Sequence, residues 1–205
     1  MGRSGATGLE VAERPAPVLP ARFYDRPAEL VARELLGAIL VSDVGGVRTA
    51  GRIVEAEAYP GPHDPASHAA ARIGRTARNA PMHGPPGIAY VYRIYGLHWC
   101  LNAVTGTDGR PAAVLLRALE PVAGLAEMAR RRGRQRDLAN GPARLARALG
   151  VTGDLDGHSL LRGPLSIRRG DASDEEIASG PRIGVTRARD WPLRFWLAGN
   201  AYVSR

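Results

Sequence analysis

The hydrophobic pattern changes period along the chain, and each change predicts an element. After Pro27, whose fixed φ suits a helix start, Leu30, Val31 and Leu35 recur at helical spacing until Gly37, which predicts one buried helical stripe. Residues 38–44 read as a strand and Gly45-Gly46 as a hairpin turn. The run Arg52-Ile53-Val54-Glu55-Ala56-Glu57-Ala58-Tyr59 reads as the returning strand. Alternate side chains of a strand share a face, so Val54, Ala56 and Ala58 form an apolar side while Glu55, Glu57 and Tyr59 form the other. The acidic side must therefore meet water or a cleft.

Residues 60–87 are punctuated by Pro and Gly and predict a long irregular segment, a length usually kept for function. The run from Ile88 to Val104 is β-branched and aromatic, with a turn at Tyr95-Gly96 that leaves a tyrosine at a hairpin tip. Ala113 to Ala118 reads as a buried strand containing Arg117, whose guanidinium requires a partner such as Glu55 or Glu57. A helix is expected from Val122 to Arg132, and a second after Asn140-Gly141-Pro142, with Leu145 and Leu149 inward and Gly150 as terminator. Short strands are expected from Ile183 to Val203, with Trp191 and Trp196 in the core. These elements predict an α+β protein: one domain at 21–205 with a curved, largely antiparallel β-sheet, surrounding helices and a protruding β-hairpin, after a flexible tail at 1–20.

Composition narrows the chemistry. The 205 residues carry 28 basic against 20 acidic side chains, a formal charge of +8 that favours a polyanionic partner such as nucleic acid. Every basic residue is arginine, which excludes a lysine Schiff base. The single cysteine, Cys100, excludes an internal disulfide and a multi-cysteine zinc site. No run approaches the roughly 18 apolar residues of a membrane span, and a cytoplasmic protein without membrane association is expected. His63, His68 and His83 stand in no metal-ligand spacing, so no cofactor is expected. Arg72, Arg75 and Arg78 in the long loop, and Arg130 and Arg131 in the run ending the first expected helix after Arg117, are suited to backbone phosphates.

The ordered set R-I-V-E-A-E-A-Y, then His68 nine positions after Tyr59, R-T-A-R-N, Y-V-Y-R-I-Y-G, Asn102, L-L-R-A-L-E-P, N-G-P and P-L-R-F resembles the alkyladenine (3-methyladenine) DNA glycosylase family of the mammalian type, over roughly residues 20–204. The resemblance implies a base-excision enzyme acting as a monomer on double-stranded DNA with damaged purines: 3-methyladenine, 7-methylguanine, hypoxanthine and ethenoadenine. It assigns Glu57 as the water-activating base and Arg117 as its partner. Tyr59, His68 and Tyr92 would enclose the extruded base, Asn102 would disfavour guanine, and Tyr95 would fill the gap in the DNA stack. Leu97 and His98, beside the tip, depart from the family pattern.

Chemistry at a glycosidic carbon requires the nucleotide to leave the duplex stack, which fits a wedge and a ring-lined pocket. Without lysine, an intact abasic site is the expected product. Two other classes fit part of the pattern: a non-catalytic nucleic-acid-binding domain, and a metal-dependent nuclease using Glu55 and Glu57.

Overall fold

The computed structural model describes residues 16–170 and 175–204. Its centre is a nine-stranded antiparallel sheet, and a long middle strand organises it. That strand, β2 (Thr49–Tyr59), pairs with β1 (Ile39–Ser42), with β5 (Ala112–Ala123) and, at residues 55–57, with β9 (Arg194–Leu197). The turn joining β1 to β2 uses positive φ at both Gly45 (72°) and Gly46 (75°), a conformation glycine adopts without a Cβ penalty. Beyond β5 lie β4 (His98–Thr105) and β3 (Ala89–Ile94); beyond β1 lie β7 (Leu165–Arg168) and β6 (Leu161–Arg162); β8 (Ile177–Gly180) pairs β9.

Both faces of the sheet are covered. Helices α2 (Ala28–Glu34), which follows the short α1 (Ala21–Tyr24), and α4 (Pro142–Leu149) pack on one side, where Val31, Leu35, Ile53, Leu116, Leu145 and Leu149 share one cluster. The segment 60–87 covers the other side, where Ala69 and Met82 pack on Tyr90, Val104 and Ala113. The acidic face of β2 therefore meets neither bulk water nor an open edge.

The β2–β5 register is irregular where the chemistry sits. Ile53 pairs Leu119, Glu55 pairs Ala118 and Ala56 pairs Leu116, so Val54 and Arg117 fall between register partners. Such a bulge re-aims side chains. Ile53, Ala56 and Ala58 reach the helix-side core, whereas Val54 packs with Ala118 and Leu197 in a separate cluster. The expectation that Val54 shares a face with Ala56 is corrected by this slip.

Other expectations also need correction. Leu30 is 49% exposed, because the inward positions of the short α2 and its C-cap are Val31 and Leu35, at i and i+4. Strand β5 runs through Val122 to Ala123, so α3 (Leu125–Arg132) starts later than Val122, after Gly124 at φ 71°. A Cβ on Gly124 would stand 2.3 Å from the Arg48 carbonyl oxygen, which forces glycine at that break. Trp191 is exposed and Trp196 half-buried; Phe195 and Leu197, on the opposite face of β9, supply the core instead. Residues 16–20 are also held. Val18 bridges Arg168, and the Leu19 amide donates to the Ile167 carbonyl at 2.9 Å. The rest of the expected tail, residues 1–15, lies outside the described residues.

Candidate active site

A cavity of about 290 Å³ opens on the loop-covered side of the sheet, where the end of β2 meets β3, β4, β5 and the segment after Arg182. Its lining includes Tyr59, His68, Tyr92, Asn102, Arg117 and Ile183. The fold brings Tyr59 here as the last residue of β2, Tyr92 and Asn102 from adjacent strands, and His68 from the covering loop.

Glu57 lies immediately beneath this lining and is fully buried. Its Oε1 accepts the Ile183 amide at 2.8 Å and faces Arg117 Nη1 at 3.1 Å; its Oε2 accepts the Tyr59 hydroxyl at 3.0 Å. Burial pushes the Glu57 carboxyl above the ordinary range, while Arg117, the Ile183 amide and the Tyr59 hydroxyl pull it back towards ionisation. Carboxylate oxygens have further lone pairs, so three donors leave accepting capacity. A buried carboxylate poised by opposing effects beneath a cavity can take a proton.

Glu55, two residues earlier, is the contrasting case. Its Oε1 accepts from Arg117 Nε (2.9 Å), Arg194 Nε (2.6 Å) and the Ser204 hydroxyl (2.9 Å), and its Oε2 from the Ser204 amide (2.7 Å). It closes the sheet on the C-terminal segment. A nuclease that shared a metal between Glu55 and Glu57 would have to break this network. Among the described residues, no three His, Cys, Asp or Glu side chains cluster in a way that could hold a metal ion.

The aromatic side of the cavity is a connected set. His68 Nδ1 lies 2.9 Å from the Tyr90 hydroxyl, and the His68 and Tyr92 rings meet edge-on at 4.5 Å. Burial, then the charge of Arg78, holds the His68 pKa below its usual 6.5, so the ring is neutral at pH 7. Desolvation raises the Tyr90 hydroxyl to about 12. Asn102 is buried and donates Nδ2 to the Tyr90 carbonyl at 2.9 Å, which fixes its amide. Away from the cavity floor, the β3–β4 hairpin ends in Tyr95 (φ 52°) and Gly96 (φ 68°). A non-glycine residue in left-handed backbone is strained. The Tyr95 side chain is 86% exposed, with Leu97 exposed beside it.

The arginines divide. Arg72 and Arg78 lie on the cavity rim, Arg75 is exposed nearby, and Arg78 stands 5.2 Å over the Tyr92 ring. Arg130 is exposed and paired with Glu127 at 2.6 Å. Arg131, also expected at a phosphate, is engaged within the protein. Its guanidinium bonds Glu127, the Val44 carbonyl (2.7 Å) and the Ala148 carbonyl (3.3 Å), which locks α3 to α4 and to the β1–β2 turn.

Sequence reasoning overlooked three contributors. Asn79 is buried and donates Nδ2 to the carbonyls of His68 (2.9 Å) and Gly74 (2.8 Å), stapling the loop that carries His68. Asp64 and Arg182 form an ion pair in which both side chains are fully buried. Asn79 closes the quoted R-T-A-R-N run, which was a signal; Arg182, 118 residues from Asp64, offered none.

A cavity floored by a poised carboxylate and walled by aromatic rings, beside an exposed aromatic tip, defines a site for hydrolysis next to a flat heterocycle. Comparison with known proteins agrees. Residues 22–201 match the Methylpurine-DNA glycosylase (MPG) family, and the chain belongs to that family; it is a DNA N-glycosylase. Several relatives share the printed name "Putative 3-methyladenine DNA glycosylase". One from Methanoculleus marisnigri is 53% identical over 193 residues, covering 91% of this chain and 98% of the relative. One from Burkholderia lata is 48% identical, covering 93% and 92%, and one from Myxococcus xanthus is 49% identical, covering 91% and 93%.

Proposed function

We propose that the protein acts as a monofunctional glycosylase on double-stranded DNA. It would turn a damaged purine nucleotide out of the helix and hydrolyse its N-glycosidic bond, leaving an intact abasic site. The observation that carries this reading is Glu57, sealed beneath a ring-walled cavity and bonded to Tyr59, Ile183 and Arg117.

In this reading a water oxygen attacks C1′ while Glu57 accepts its proton. The C1′–N bond electrons pass to the departing base. Arg117 keeps the carboxylate ionised and oriented. A cationic base such as 3-methyladenine or 7-methylguanine leaves neutral and needs no acid; neutral hypoxanthine or ethenoadenine must gain a proton. Tyr59 and Tyr92 supply stacking worth about 1–3 kcal/mol per base, which grows for electron-poor cationic rings. Extrusion costs a few kcal/mol, and Tyr95 entering the vacated stack offsets part of it. Asn102 would crowd the 2-amino group of guanine. Arg72, Arg75, Arg78 and Arg130 are the proposed phosphate contacts, and Arg131 is withdrawn from that set. The enzyme is proposed to act as a monomer.

The test is a panel of duplexes, each with a single 3-methyladenine analogue, 7-methylguanine, hypoxanthine or ethenoadenine, followed by hot alkali. Alkali-dependent cleavage at the lesion, unaffected by a chelator, is expected. Cleavage before alkali, or chelator sensitivity, would point to a lyase or a nuclease. Binding with no base release from any duplex would leave a binding module.

A further inference from the structure

The mechanism above does not use the buried pair of Arg182 and Asp64. Arg182 donates Nη2 to Asp64 Oδ1 at 2.9 Å and Nη1 to Asp64 Oδ2 at 2.5 Å, a bidentate fork sealed from solvent. Taking two charges out of water is expensive, and replacing such a pair by apolar side chains of similar volume is often neutral or stabilising. Fold stability is therefore a poor reason for this pair, and its other contacts indicate a better one.

Those contacts all converge on the site. Arg182 Nη1 also donates to the carbonyl of Ala58, between Glu57 and Tyr59, at 3.1 Å. Its guanidinium stacks 4.6 Å from the Tyr59 ring, which lines the cavity, while Arg182 itself is buried behind the ring. The next residue, Ile183, donates its amide to Glu57. Asp64 accepts the Ala66 amide at 2.9 Å through Oδ1 and the Ser67 amide at 3.1 Å through its carbonyl, shaping the turn that delivers His68.

We infer that Arg182 and Asp64 are positioning residues for base release, a brace that fixes the Tyr59 wall, the Ile183 amide on Glu57 and the His68 turn as one unit. This rests on the proposed role of Glu57. The brace acts at a distance from the reacting atoms: with it loosened, Glu57 keeps Arg117 but holds the Ile183 amide and Tyr59 hydroxyl less firmly.

Two variants test it by single-turnover base release from a hypoxanthine-containing duplex, with thermal unfolding measured in parallel. The double variant Asp64→Leu/Arg182→Met removes both charges at similar volume; Arg182→Lys keeps the charge but not the fork. The groups facing Glu57 are Arg117 from β5, Glu55 and Tyr59 from β2, Tyr92 from β3, Cys100 from β4, and the Ile183 amide with Arg182. With fewer donors Glu57 protonates more readily, so the acid limb of the pH–rate profile moves to higher pH. The brace predicts a loss of roughly tenfold or more in release, of the size expected for misplaced catalytic groups. It also predicts that limb shift in each variant that folds, Arg182→Lys included. A folded variant with wild-type release and an unmoved acid limb overturns it. Should the double variant not fold, Arg182→Lys decides by the same two readouts. Wild-type protein that releases no base from any lesion duplex would instead sink the glycosidic reading of Glu57.

Discussion

The floor of the cavity and the tip of the β3–β4 hairpin are built in opposite ways. At the floor, Glu55, Glu57 and Arg117 are buried and bonded to one another and to their neighbours, so the site is part of the sheet's own stability. At the tip, Tyr95 and Leu97 stand in solvent, Tyr95 on strained backbone, and contribute little to the fold. Loss of the cation shared at the floor should therefore damage folding and chemistry together, whereas changes at the tip should damage only the handling of DNA.

The sharpest break of this contrast is Arg117→Gln. It leaves Glu55 and Glu57 close together without their shared cation, so about 3–5 kcal/mol of stability should be lost in urea unfolding, together with base release. Unchanged stability would show that the floor is not structural.

Tyr95→Ala is the counterpart. Unfolding should move by less than about 0.5 kcal/mol, as for an exposed site. Release from duplex should slow roughly tenfold or more, with little change on a single-stranded lesion oligonucleotide, because no stack then needs filling. Equal losses on both substrates would contradict the wedge.

A third comparison separates two adjacent arginines. Arg131→Ala removes donors from Glu127 and two carbonyls and should cost about 1–3 kcal/mol. Arg130→Ala should leave unfolding unchanged, yet weaken DNA binding more at low than at high salt.

The smallest effect concerns pH. Because burial raises the Glu57 pKa in the folded protein, ionising it opposes folding. Any advantage of Glu57→Gln should be present at pH 7 and vanish below the unfolded value near 4.5. Thermal melts at pH 7 and pH 4 measure the sign, and an advantage growing towards low pH would refute it. The depressed His68 runs the other way, with stability falling as pH drops through 6.5.

Much of this contrast was legible in the sequence because it rests on local signals. Alternation marked Glu57 and Tyr59 as neighbours on β2, a glycine marked the hairpin tip, and an arginine inside an apolar strand announced its need for a carboxylate. The ordered motifs added the family. What escaped depends on long-range placement. The one-residue slip that separates Val54 from Ala56 is set by pairing with β5, and burial of both faces of β2 depends on where the 60–87 segment settles. Arg130 and Arg131 look alike in sequence; only helix geometry aims one outward and the other at the Val44 and Ala148 carbonyls.

The central claim is that the Glu57 carboxylate readies water while the surrounding rings hold the base. The most direct measurement uses Glu57→Gln on one lesion duplex, recording equilibrium binding and single-turnover release together. Binding within about tenfold of wild type and release reduced by at least about 100-fold are expected, since general-base assistance is commonly worth 10²–10⁴ in rate. Release near the wild-type rate from a folded Glu57→Gln protein would contradict the account.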